Sequence, residues 1–234
     1  MFNHLLKKKK HKVTTLVENT TIYDASKSAK TVSLHSGASI TNTYVRNGGN
    51  SLRMLGYAWL SLAGSSDWAL GTTATLEMWI CPNSSQQANA RLFCVTNGYT
   101  NYSAIDSAIN NSGTLLALFH NNYTTPFNIL ANVWSHIAWV FNAGNLTIYV
   151  NGVLETIIGA TSGYNITNAG SLYISSYMGG GYNFTGGMDD LRITKGIARY
   201  QSNFTPPQNL PSDSSDPYWN NTVLLIQATK MVTA

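Results

Sequence analysis

Asp189 and Asp190 stand side by side between a glycine pair, Gly186-Gly187, and the alternating run Leu191-Arg192-Ile193. Paired carboxylates are the first residues to test for acid–base chemistry. Glycoside hydrolysis needs two carboxyl groups flanking the scissile bond, about 5–5.5 Å apart for retention and about 6.5–9.5 Å for inversion. Side chains two apart on a strand share a face, so Glu-x-Asp is the pattern that would supply such a pair. It is absent, because Glu18, Glu77 and Glu155 are the only glutamates and none has a carboxylate two positions away. Asp189 and Asp190 are adjacent, so a strand is expected to point them to opposite faces, and Asp190 is expected to pair with Arg192 or cap a backbone amide. A glycosidase, and an enzyme generally, is therefore not expected. There is no Gly-x-Ser-x-Gly elbow, and His4, His11, His35, His120 and His136 show no metal-type pairing. His136, beside Trp134 in an alternating run, is expected to be a packed structural residue. Cys81 and Cys94 are too few for the usual four-ligand zinc site. They read as buried free thiols rather than a disulfide, the expectation for a reducing compartment.

Binding chemistry is better represented. Tyr99, Tyr102, Tyr123, Tyr164, Tyr177 and Tyr182 lie in Asn-, Gly- and Ser-rich stretches. Aromatic faces stack on the apolar faces of sugars while neighbouring amides donate and accept hydrogen bonds. Tyr99, Tyr102, Tyr123 and Tyr182 are the residues expected to bind carbohydrate, although such loops also suit a protein interface. The formal charge of +4 is concentrated at one end. Lys7, Lys8, Lys9, Lys10 and Lys12 carry five positive charges, and subtracting them from +4 leaves −1 for the rest. Such a run is either solvated or contacts an acidic partner, nucleic acid or another protein, so these lysines are the expected partner-binding residues.

The elements that would position these groups are strands. Charged residues are only 10% of the chain, against an abundance of Thr, Asn, Ser, Gly and Tyr, which favours strands and polar turns over helices. Residues 13–17 read as a first strand, residues 23–26 as a turn, and the polar stretch up to Ile40 as an edge strand or an excursion. Residues 51–55 form a short β run, and residues 57–62 are expected as its antiparallel neighbour. In residues 74–81, Leu76, Met78 and Ile80 alternate with Glu77 and Trp79, so both faces carry apolar bulk, as in a central strand. Residues 132–141 and 146–150 form a hairpin about Asn142-Ala143-Gly144-Asn145, and Asn151-Gly152 supplies a second tight turn. Residues 171–175 add a strand, and the stretch 186–200 closes the sheet. Strands at spacings of roughly 10–15 residues without helices between them indicate one all-β, two-sheet antiparallel jelly-roll sandwich. The expected organisation is a basic arm at 1–12, the sandwich at 13–207, and a linker and strand-like tail at 208–234. Within the tail, residues 222–226 read as the start of a second copy that stops short or, in preference, as a strand donated to this sheet or to a neighbouring subunit.

Trp134-Ser135-His136-Ile137-Ala138, the run from Leu146 through Gly152, and Gly187-Met188-Asp189-Asp190-Leu191-Arg192-Ile193 resemble laminin-G-like domains of the concanavalin A-like lectin/glucanase superfamily. The stretch from Thr194 through Tyr200, with Phe204-Thr205-Pro206-Pro207, is especially similar to versions found in tailed-phage virion proteins. The resemblance implies a jelly roll that binds carbohydrate or protein. It also implies calcium as the one cofactor, held by Asp190 with help from Asp24, Glu18 or the carbonyls around Gly49, since calcium takes six to eight oxygens. On this reading the chain is a non-enzymatic virion structural protein, a capsid decoration or fibre-like subunit fastened through its termini to other virion proteins or to copies of itself. The alternative is a module for host-surface glycan. The expected location is the virion after synthesis in the host cytoplasm, since neither a signal peptide nor a membrane-spanning run is visible.

Overall fold

The computed structural model describes residues 22–47, 49–96, 105–117, 123–158 and 164–228. The expected strand at 13–17 and the lysine arm lie outside these residues. In chain order the strands are β1 (Ser33–His35), β2 (Ser39–Arg46), β3 (Gly49–Met54), β4 (Trp59–Leu62), β5 (Ala74–Pro82), β6 (Ala90–Thr96), β7 (Ile105–Ile109), β8 (Thr114–Ala117), β9 (Tyr123–Asn128), β10 (Ser135–Asn142), β11 (Asn145–Val150), β12 (Val153–Ile158), β13 (Ser171–Ile174), β14 (Gly186–Lys195) and β15 (Thr222–Ile226). They form two antiparallel sheets. The seven-stranded sheet runs β1-β4-β13-β6-β7-β8-β9, and the eight-stranded sheet runs β12-β11-β10-β5-β14-β3-β2 with β15 beside β14.

Alternation places the core between the sheets. Leu76, Met78 and Ile80 of β5 point inward, as do Ile137, Trp139 and Phe141 of β10. They meet Leu60, Phe93, Leu172 and Ile174 of the opposite sheet, and the Phe93 and Trp139 rings pack edge to face at 4.7 Å. Full burial of each such side chain stabilises the fold by about 1.5–3 kcal/mol. All nine residues of β5 are buried, because β10 and β14 flank it and a further layer covers its outward face. The expected hairpins form. Asn151 and Gly152 both take positive φ, 51° and 78°, as a tight turn between twisted strands requires.

Residues 57–62 were expected beside residues 51–55, and here the structure corrects the sequence reading. β4 instead pairs with β1 and β13 in the opposite sheet. A turn closed by the Ala58 amide donating to the Leu55 carbonyl at 3.0 Å, with Gly56 at φ 62°, carries the chain around the corner. Alternation specifies which residues of β4 face inward, and that pattern fits either sheet.

Two features complete the larger sheet. β15 pairs antiparallel with β14 and buries Leu224 and Ile226 in the main core, so the strand at 222–226 returns to its own sheet. Residues 196–218 cross the outward face as a strap. The Phe204 amide donates to the Gly152 carbonyl at 2.9 Å, and the Tyr200 and Phe204 rings stack at 3.6 Å over Tyr149. Cys81 and Cys94 are both free and buried.

Candidate functional site

Among the described residues, three polar constellations stand out for their chemistry outside the apolar core. Under the strap, Glu77 is fully buried. Its Oε1 accepts from Arg192 Nε and Nη2 at 2.8 and 2.6 Å, and its Oε2 accepts from the Tyr200 hydroxyl at 2.7 Å. His136 Nε2 lies 3.1 Å from Oε2. Burial opposes the charge, but Arg192, His136 and Tyr200 outweigh it and hold the Glu77 carboxyl down at about 2. Asp216 extends the network by accepting from Arg192 Nη1 at 3.0 Å and Arg199 Nη2 at 2.7 Å. A carboxylate held ionised by this many donors serves packing rather than proton transfer. His136 packs as the sequence reading expected, with its ring against Trp79 and Phe204.

The second constellation surrounds Asp189 and Asp190. β14 changes neighbour here, pairing with β3 through Met188 and with β15 from Leu191 onward. The ladder with β5 slips between Asp189 and Arg192, and Asp190 takes φ 50°. This bulge overturns the expectation of opposite faces, because both carboxylates meet one guanidinium. Arg46 Nε donates to Asp189 Oδ2 at 3.0 Å, Nη2 donates to Asp190 Oδ2, and the guanidinium lies 5.0 Å over the Trp79 ring. Asp190 thus pairs with Arg46, while the expected partner, Arg192, is occupied by Glu77 and Asp216. Asp189 Oδ1 accepts the backbone amides of Asp190 and Ala228 at 2.9 and 3.1 Å, and Asp190 Oδ1 accepts from Gln227 at 2.7 Å. Burial, then repulsion from Asp189, pushes the Asp190 carboxyl up to about 6 against the pull of Arg46. A cleft of about 330 Å³ opens beside the pair.

Asp24, the other expected calcium ligand, serves a different network. It accepts from the Ser26 amide and hydroxyl, the Lys30 amide and the Leu225 amide, at 2.9 to 3.0 Å, and so pins β15 to the preceding turn. Asp24 takes four donors and Asp190 is gripped by Arg46, so each carboxylate is already engaged elsewhere. Among the described residues no three His, Cys, Asp or Glu side chains converge to hold a metal. As arranged, Asp190 and Asp24 do not fit calcium, and Glu18, another expected ligand, lies outside the described residues.

The third constellation lies on the outward face of the seven-stranded sheet. Arg91 of β6 sits 4.9 Å from the Tyr177 ring and 5.2 Å from the Tyr182 ring, and the two rings meet edge to face at 6.3 Å. Arg91 Nε donates to Asp106 Oδ2 of the neighbouring β7 at 3.0 Å, and Nη1 donates to the Asn89 carbonyl at 2.7 Å. Burial drives the Asp106 carboxyl up to about 6 despite Arg91. Tyr182 is 48% exposed at φ 53°. Its carbonyl accepts the Arg91 amide at 2.7 Å, and Gln87 accepts the Asn183 amide at 3.1 Å, which fixes the loop to β6. Farther along the same face, Trp59 stacks on His35 at 3.5 Å and lies 5.8 Å from Tyr173. Gly179, at φ 74°, lies so close to the indole that a Cβ there would come within 2.8 Å.

Of the four tyrosines expected to bind carbohydrate, Tyr182 is exposed in this cluster and Tyr123 opens β9 in the same sheet. Tyr99 and Tyr102 lie outside the described residues, as do Lys7, Lys8, Lys9, Lys10 and Lys12. The sequence reading missed Arg91 and Asp106. Asp106 alternates with the core residues Ile105 and Ile109, but Arg91 shares the parity of the core residues Phe93 and Val95, and only the irregularity between Arg91 and Phe93 turns it outward, so alternation carried no signal for it.

Comparisons with known proteins agree with this architecture. A family model described as the concanavalin A-like lectin/glucanases superfamily matches residues 55–199. Domain 4 of AbnA, an extracellular arabinanase from Geobacillus stearothermophilus solved with arabinotriose, superposes with a TM-score of 0.55 at 14% identity, over 73% of this chain and 84% of that one. A Bacteroides ovatus protein assigned to carbohydrate binding gives 0.50 at 22% identity, over 67% of this chain and 45% of its own. The binding domain of Paraclostridial Mosquitocidal Protein 1 gives 0.55 at 14% identity, over 85% and 51%. This chain therefore spans most of the first and about half of the other two. At such identities the likeness is one of fold. No curated protein matches the sequence.

Proposed function

This chain belongs to the concanavalin A-like lectin/glucanases superfamily, and from that premise we propose that it is a non-catalytic glycan-binding module whose site is the cluster of Tyr182, Tyr177 and Arg91. The observation that carries the reading is Tyr182, an exposed ring held by its own backbone against Arg91. Ring faces stack on sugar C–H groups, and the Arg91 guanidinium beside both rings supplies donors to hydroxyls. The carbohydrate-binding neighbours support the same class of ligand. The carboxylates best placed for catalysis are otherwise engaged, Glu77 in its buried network and Asp189 and Asp190 with Arg46.

A glycan array probed with the whole chain, with and without chelator, tests the proposal. Binding to one class of surface polysaccharide is expected, reduced about tenfold by Tyr182→Ala, a loss equivalent to about 1.4 kcal/mol. An array without hits, or hits equally strong in the variant, counts against it. Loss of binding on chelation alone would restore calcium to the account.

A second reading concerns where the module works. The similarity of residues 194–200 and 204–207 to phage versions favours a virion decoration or fibre-like subunit joined to other virion proteins, or to its own copies, through its termini. Support comes from the chain path. Asp24 bridges Ile226 beside β14, so both ends of the described chain leave from the larger sheet, whereas Tyr182 lies with the other one. Removing residues 1–12 is expected to abolish particle attachment without changing the melting temperature, and attachment undiminished by that deletion contradicts the reading.

A further inference from the structure

The cleft beside Asp189 and Asp190 exists because β14 exchanges one neighbour for another, leaving two residues with neither β3 nor β15 alongside. Arg46, Asn50, Asn209 and Gln227 line it together with the two aspartates. The volume, about 330 Å³, lies at the small end of ligand pockets, which span about 300–1,000 Å³. No aromatic ring lines it, so a ligand here is recognised by hydrogen bonds alone.

The hydrogen-bond capacity is unevenly spent. A carboxylate has about four acceptor positions. Asp190 is 2% exposed, yet among the described residues it accepts only from Gln227 and Arg46. A buried carboxylate with acceptor positions left over has room for further donors. Asn50 and Asn209 make no side-chain hydrogen bond among the described residues, and each offers both a donor and an acceptor. A cation is disfavoured, because Arg46 already holds a positive charge against both carboxylates. Adjacent hydroxyls that donate to Asp190 and exchange hydrogen bonds with the two amides match the lining.

We infer that this cleft is a second binding site, separate from the Tyr182 cluster, for one neutral, polyhydroxylated unit of monosaccharide size. The Arg46 clamp holds the acceptors in place, and Asn50 and Asn209 set which hydroxyls fit.

Backbone amide resonances of Gly49, Gln227 and Ala228 in the whole chain report on the cleft. The probes are methyl α-D-glucopyranoside, methyl α-D-mannopyranoside and methyl β-D-galactopyranoside, each titrated alone, and calcium chloride. Saturable shifts are expected with at least one glycoside, weakened at least tenfold by Asn50→Ala with Asn209→Ala and unchanged by Tyr182→Ala. The double variant removes no side-chain hydrogen bond among the described residues, and its amide dispersion checks that it folds. Shifts from calcium chloride alone, none from any glycoside, undiminished affinity in the double variant, or loss in Tyr182→Ala each overturn the inference. The Tyr182 control separates this result from failure of the aromatic site.

Discussion

Glu77 illustrates how one residue's environment reverses its meaning. In the sequence it is a solitary carboxylate on a strand with apolar bulk on both faces. In the fold it is the acceptor around which Arg192, Tyr200 and His136 are arranged. Its partners come from two other strands, β10 and β14, and from the strap, so no local pattern announced them. Removing the charge leaves Arg192 buried and under-compensated, which typically costs about 3–5 kcal/mol. Glu77→Gln is therefore expected to lower Tm by on the order of 10 °C, measured by calorimetry at neutral pH. The titration directions add a second test. Glu77 lies at about 2 in the fold against an ordinary 4.5, so its stabilisation is present at higher pH and fades as pH falls through that interval. Asp106 and Asp190 lie at about 6 against 3.8, so the folded state binds their protons more tightly and stability falls as pH rises from about 4 to 6. Tm is expected to rise on acidification from pH 7 toward about 4.5 and to drop below about 4. Asp106→Asn flattens the upper limb, and an unchanged limb contradicts the assignment.

At the scale of elements, legibility followed locality. The Asn151-Gly152 hairpin was readable because two adjacent residues encode its positive φ values. The placement of β4 and β15 was not, since sheet membership is decided by distant partners. Gly152 also carries a demand invisible in sequence. The strap runs over it, and a Cβ there would lie 1.8 Å from the Phe204 carbonyl oxygen. Gly152→Ala is expected to lift the strap, destabilise by more than the roughly 1–2 kcal/mol of a left-handed alanine, and weaken the near-UV signal of the Tyr200–Phe204 stack. A variant with unaltered Tm and spectrum would refute the strap's role as a packed layer. The bulge at Asp189-Asp190 belongs to the same scale. Alternation predicts opposite faces for neighbours on a regular strand, and only the change from β3 to β15 brings both carboxylates to Arg46.

For the whole molecule, sparse charge, alternating strands and Gly/Asn turns sufficed to indicate a two-sheet sandwich, and the structure has that form. Function was less legible, because a binding face is assembled from residues far apart in the chain. Tyr182 stood out as a loop aromatic, but its partners Arg91 and Asp106 gained meaning only once β6 and β7 lay side by side. The Tyr182, Tyr177 and Arg91 cluster thus lies on one sheet, while the ends of the described chain lie beside the other. The most direct test of the central claim is isothermal titration of the whole chain with the polysaccharide fragment it prefers on an array, alongside Tyr182→Ala. The account predicts saturable binding by the native protein and about tenfold weaker binding by the variant, with both equally folded. Equal affinity in the two, or no heat with any fragment, would contradict it.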